Sequence, residues 1–154
     1  MPHPRHRPAN AKDVKSLPKK AKPWTTLFRW LQGPMIRRDE QAATAWIRFA
    51  QTAAAQGQKV LVVQSIYLVG RRGTKALVCA AHGGPPQDTW FWWSRLHKGA
   101  AVAVSSNIGY GPHTKRDDVI FVGSEQGGSG VHALIPEVTL RRARRHERRM
   151  SSTR

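Results

Sequence analysis

Six arginines fall within nine residues, in the tract Arg141-Arg142-Ala143-Arg144-Arg145-His146-Glu147-Arg148-Arg149. A guanidinium pairs bidentately with a phosphate, which an ammonium cannot do. Each neutralised phosphate releases counterions, so such a tract implies strong, salt-sensitive and sequence-blind affinity for a polyanion. Drawn as a helix, Arg141, Arg145 and Arg148 or Arg149 line one side at about a turn's spacing. Arginine-rich segments often fold on binding RNA. The N-terminal stretch carries Arg5, Arg7, Lys12, Lys15, Lys19, Lys20 and Lys22 and points the same way less sharply. A localisation signal, a protein contact and a solvated tail are the competing uses of such tracts.

The run Trp90-Phe91-Trp92-Trp93, with Arg95 and Lys98 close behind, offers a second chemistry. On a strand, Trp90 and Trp92 face one way and Phe91 and Trp93 the other. Exposed aromatics flanked by cations suit base stacking, here by Trp90 and Trp92. Burial of both faces is the competing reading. Four histidines, His82, His97, His113 and His132, lie near expected loops or strand ends. A histidine pair with a cation suffices for metal-independent RNA cleavage. One imidazole takes the 2′-hydroxyl proton, the other protonates the leaving oxygen, and the cation steadies the phosphorane. These histidines have no helical i, i+4 spacing, and no metal site is expected. Asp117-Asp118 and Glu125 flank a strand in a way that can hold Mg²⁺ in nucleases, but no lysine sits two residues after Glu125. Solvating acids are the simpler reading. Gly127-Gly128-Ser129-Gly130 lacks the Gly-Lys-Ser/Thr ending of a phosphate loop. His82-Gly83-Gly84 has no Gly-x-Ser-x-Gly elbow to serve.

Composition sets the frame for these residues. The chain has 154 residues, 26 Lys or Arg against 9 Asp or Glu, and a net charge of +17. Residues 1–23 carry seven cations against one acid, and residues 137–154 carry seven against two. Blocks of like charge usually stay disordered and act as interaction tails. The single cysteine, Cys79, excludes a disulfide framework within one chain and sits in the apolar run 76–81, as a core thiol would. A reducing, intracellular and cytoplasmic setting is expected. No apolar run approaches the roughly 18–20 residues of a membrane span, so no membrane partner is expected. No apolar stretch directly follows the basic N-terminus, so no secretory signal is expected, and four prolines within residues 1–20 fit poorly with the amphipathic helix of a transit peptide.

The elements that must position these residues are legible from periodicity. Residues 1–23 read as a disordered basic arm. Residues 24–136 read as one globular α+β domain, and 137–154 as an arginine-rich C-terminal helix or tail. Trp24, Leu27, Phe28 and Leu31 at i, i+3, i+4 and i+7 predict a short helix that Gly33-Pro34 stops. A second helix is expected over 39–56, capped by Asp39, with Ala42, Trp46, Phe49, Ala50 and Ala53 on one face and Gly57 as its stop. The period then changes. Val60–Val63 and Ile66–Val69 are β-branched and apolar, Arg71-Arg72-Gly73 is a hairpin turn, and Lys75–Ala81 returns as a strand. Gly83–Pro86 is a loop, Trp90–Trp93 is aromatic, and Ala101–Ser105 is a strand. Asn107–Asp117 is a loop, Val119–Val122 and Val131–Ile135 are strands, and Gln126–Gly130 is a turn. The class is therefore α+β, with N-terminal helices, a mostly antiparallel sheet of five or six strands curled into a small β-barrel, and a basic C-terminal helix or tail.

Ala80-Ala81-His82-Gly83-Gly84, then Trp92-Trp93-Ser94-Arg95-Leu96, then Val102-Ala103-Val104 follow one another in an order known elsewhere. Over residues 73–104 this resembles the deazaflavin-dependent nitroreductase family, a split β-barrel. That family shows a small-residue stretch ending in Gly-Gly, then Trp-x-x-Asn-Leu, then a Val-x-Val strand. Arg95 stands here where the family has Asn, and the proline usual before the Val-x-Val strand is missing. The resemblance implies a split barrel that binds a deazaflavin or flavin and acts as an oxidoreductase. Otherwise no cofactor is expected.

The leading expectation is a non-catalytic protein that binds RNA or DNA. The terminal arms would supply Lys19, Lys20, Lys22, Arg141, Arg142, Arg144, Arg145, Arg148 and Arg149. The barrel would supply Arg71, Arg72, Arg95, Lys98, Lys115 and Arg116. The alternatives are the flavin-type oxidoreductase, a small ribonuclease using the histidines, and an RNA-binding assembly protein. A homo-oligomer or larger particle is compatible with each.

Overall fold

A computed structural model describes residues 23–105, 109–110 and 118–153, with the backbone alone described for 23–33 and 109–110. The expected N-terminal arm, including Lys19, Lys20 and Lys22, lies outside the described residues, as do His113, Lys115, Arg116 and Asp117.

The described residues open on a single helix, α1, over Pro23–Ala55, where two helices were expected. Gly33-Pro34 does not stop it. The proline φ, near −65°, is itself helical, so the pair costs one backbone hydrogen bond and some crowding rather than the helix. Asp39 consequently lies mid-helix and is no cap. The C-terminal stop falls where expected: Gly57 takes φ +63°, and Gln58 N–H donates to the Ala53 carbonyl at 2.8 Å.

Seven strands follow: β1 Lys59–Gly70, β2 Gly73–Ala80, β3 Gln87–Trp92, β4 Ala101–Val104, β5 Gly109–Tyr110, β6 Ile120–Val122 and β7 Val131–Ile135. They form one sheet in the order β5-β6-β3-β2-β1-β4-β7, curled into a half-barrel. Every pairing is antiparallel except β3 with β6. Gly70 pairs with Gly73, so Arg71-Arg72 is the tip of the β1–β2 hairpin, as the turn residues predict. β5 falls inside the segment expected to be loop. Two residues, one of them glycine, give no β-propensity signal. The chain ends in α2, Glu137–Ser152.

Alternation along the strands sorts the apolar residues into two layers. Leu61, Val63, Ala76, Val78, Phe91, Val102, Val104, Ile120 and Val122 fill the concave side, joined by Leu96 from the β3–β4 connection. Val62, Ala101 and Ile135 point the other way, where Leu140 of α2 and the stacked pair Trp46 and Phe49 of α1 cover them. The two helices run against each other on that outer face. Ala42, Ala43 and Ala53 of α1 and Ala143 of α2 are buried. Small side chains let the helices approach closely. No described helix is long and apolar enough to cross a membrane.

Candidate nucleic-acid interface

Helix α2 decides how the arginine tract is used. Its first turn carries Glu137, and Arg149 stands in its last, each on the favourable end of the helix dipole. Leu140 and Ala143 are buried and fix its rotation. At 3.6 residues per turn, Arg141, Arg144 and Arg148 fall within about 60° of one another around the axis. All three line one groove of about 330 Å³. Lys98 and Gly99 of the β3–β4 connection, Val62, Val63 and Gln64 of β1, and Glu137 of α2 line it too. Four cations thus face one space that holds a single acid. None of the four has an ion-pair partner among the described residues.

The β3–β4 connection is fastened to the sheet. Gly99 N–H donates to the Val63 carbonyl at 2.7 Å, and Val63 N–H donates to the Ala100 carbonyl at 2.9 Å. Gly99 has φ +77°, and a Cβ there would lie 2.3 Å from Cγ of Glu137. Only glycine lets this loop pass so close to the first turn of α2.

Arg145 and Arg149 do something else. The helical side expected to join Arg141, Arg145 and Arg148 or Arg149 divides in two. Both Arg145 and Arg149 turn toward α1, where their guanidinium groups lie 3.2 Å from the two carboxylate oxygens of Asp39. Asp39 is 2% exposed. A buried carboxylate needs compensating charge, and these two arginines supply it. Arg142, half-buried, falls on the same arc of the helix. The tract therefore has a docking face and a groove face, which a count of arginines does not reveal.

The remaining basic candidates are scattered over the barrel. Arg71 and Arg72 are exposed at the hairpin tip, and Arg72 pairs with Glu125. Arg95 is exposed in the β3–β4 connection, three residues before Lys98. Among the acids beside β6, Glu125 is thus taken by an arginine. Among the described residues no cluster of His, Cys, Asp or Glu could hold a metal ion. Cys79 is half-buried and 2.8 Å from Nε2 of Gln64.

The aromatic run is placed differently from expectation. Phe91 is fully buried in the concave core. Trp90 and Trp92 share the opposite face and pack edge to face, 5.5 Å between ring centroids. Trp92 is only 8% exposed, so it offers no free face for stacking. Trp93 breaks the alternation: it follows the last residue of β3, takes φ 56°, and is 48% exposed. Its indole N–H is shared between the carbonyls of Ser124 and Glu125, each at 3.1 Å. A strand template cannot foresee this, because the strand ends one residue early.

The described histidines are apart from the groove. His82 is exposed beyond the end of β2, beside an apolar pocket under Trp46. His97 is exposed in the β3–β4 connection. His132, on β7, lies 2.7 Å from the Ser105 hydroxyl.

The chain matches no protein-family model, no curated protein and no solved structure. The segments that resemble the deazaflavin-dependent family fall on the end of β2, the end of β3 and β4. Of these, Ala80, Gly83 and Gly84 line a pocket of about 300 Å³ together with Lys59 and Cys79.

Proposed function

We propose that this chain binds the phosphate backbone of a nucleic acid through the groove between α2 and the β3–β4 connection. The observation that carries this reading is the convergence of Arg141, Arg144, Arg148 and Lys98 on one space with one acid, Glu137. Cations dispersed by self-repulsion would point apart; here packing of Leu140 and Ala143 holds three guanidinium groups on one arc. A phosphodiester chain supplies the missing counter-charge and accepts bidentate hydrogen bonds from each arginine. The Asp39 clamp supports the same reading. It fixes α2 before any ligand arrives, so the groove arginines need little ordering on binding. Contacts of this kind carry no base information, so the groove gives affinity rather than sequence choice.

The reading is tested by charge reversal at the centre of the groove. Arg144→Glu should weaken binding of a labelled oligonucleotide in moderate salt by about ten-fold or more, measured by fluorescence anisotropy. Equal affinities for the variant and the parent would remove the groove from the account.

A further inference from the structure

We infer that the ligand is single-stranded, and that Trp93 is a stacking platform for one of its unpaired bases. This rests on the reading that the α2 groove holds the phosphate backbone, and adds which form of nucleic acid it takes.

Trp93 has an unusual combination of constraints. A bulky side chain at φ 56° is disfavoured, and such backbone persists where the surroundings enforce it. They do so here at two points. The backbone N–H of Trp93 donates to the Arg72 carbonyl at 2.7 Å. The indole N–H is held by two backbone carbonyls of the β6–β7 connection. Trp92 sits behind it, 6.4 Å between centroids. All this fixes one edge of the indole, yet the ring stays 48% exposed. A base-stacking platform needs a ring held by its edge with its face in solvent.

The charge around the ring suits a nucleotide. Glu125, whose backbone carbonyl accepts from the indole, has its carboxylate paired with Arg72. Arg71 and Arg95 have no ion-pair partner among the described residues and are exposed. The segment after Trp93 also leads to the groove. Ser94 and Leu96 are buried while Trp93, Arg95, His97 and Lys98 are exposed. This alternation presents a ring and two cations to solvent, ending at Lys98, which lines the groove. Five residues span at most ~17 Å. One flexible strand can bridge that distance, with a phosphate in the groove and a base on Trp93. A duplex keeps its bases stacked inside and offers none to the ring.

The test compares an oligouridine of about 15 nucleotides with a duplex of equal length, both fluorescein-labelled, by anisotropy. Trp93→Ala should weaken binding of the single strand by roughly ten-fold, within a range of about 5- to 150-fold. Trp93→Phe, which keeps a ring without the N–H, should recover most of that loss. Neither change should move duplex binding or the salt slope. Three outcomes overturn the inference: Trp93→Ala binding the single strand as the parent does, Trp93→Phe losing as much as Trp93→Ala, or the parent preferring the duplex. If those results come with Arg144→Glu still weakening binding, the groove reading stands and only the platform falls. If the parent binds neither probe, both fall together.

Discussion

Asp39 shows what one residue can settle. A carboxylate before an alanine-rich run reads as a helix cap. In the fold it is buried mid-helix with Arg145 and Arg149 on its two oxygens. Its partner stands 106 positions away, and no local pattern signals such a pairing. Removing one member of a buried ion pair costs about 3–5 kcal/mol, because a charge is left uncompensated. Arg145 and Arg149 are themselves 39% and 50% exposed on their side chains, so solvent screens part of that loss. Asp39→Ala should destabilise by about 2 kcal/mol, read as a fall in the urea midpoint at constant m. At Gly99 the sequence likewise gives no warning. Gly99→Ala must adopt φ +77° and displace Glu137, and should cost about 1–3 kcal/mol with a loosened groove.

At the scale of elements, most of the fold was legible. The hairpin at Arg71-Arg72, the apolar strands β1 and β2, the closing strand β7 and the basic terminal helix all announce themselves by period and turn residues. Besides the two-residue strand β5, two features did not. Gly33-Pro34 carries every local mark of a helix end, yet helical dihedrals continue through it. The division of α2 into two faces was hidden because both sets of arginines repeat at i, i+3 and i+7. Only the buried Leu140 and Ala143 decide which set meets α1. This division separates two variants that remove similar charge. Arg145→Gln with Arg149→Gln leaves the buried Asp39 carboxylate without its two cations, so it should lower stability by about 3–5 kcal/mol in urea melts and leave the salt dependence of binding near that of the parent. Arg141→Gln with Arg148→Gln should leave the melt near that of the parent and weaken binding. Deleting residues 141–154 mixes the two effects, since it strands Asp39 and removes the buried Ala143 as well as the groove.

Over the whole molecule, the charge of +17 motivates the proposal of a polyanionic partner but names no place for it. The proposed place comes from the fold. A curled sheet packs one apolar layer within itself, two helices cover its other layer, and the β3–β4 connection, hydrogen-bonded to β1, lines the groove beside α2. The aromatic run, for which base stacking and burial were both open, is a packed pair, Trp90 and Trp92, with a third ring beyond the strand's end. That arrangement could not be read from composition, because it depends on where β3 stops pairing with β2 at Gly73.

The central claim is that three arginines of α2 meet phosphates. It is tested most directly by the slope of log binding constant against log salt concentration, for the parent and for the triple variant Arg141→Gln, Arg144→Gln, Arg148→Gln. Each phosphate contact contributes about 0.7–0.9 to that slope. The account predicts a triple variant that melts close to the parent and has a slope shallower by about two to three units. A folded triple variant with the parent's slope would contradict it, and would place whatever phosphate contacts the chain makes somewhere other than the α2 groove.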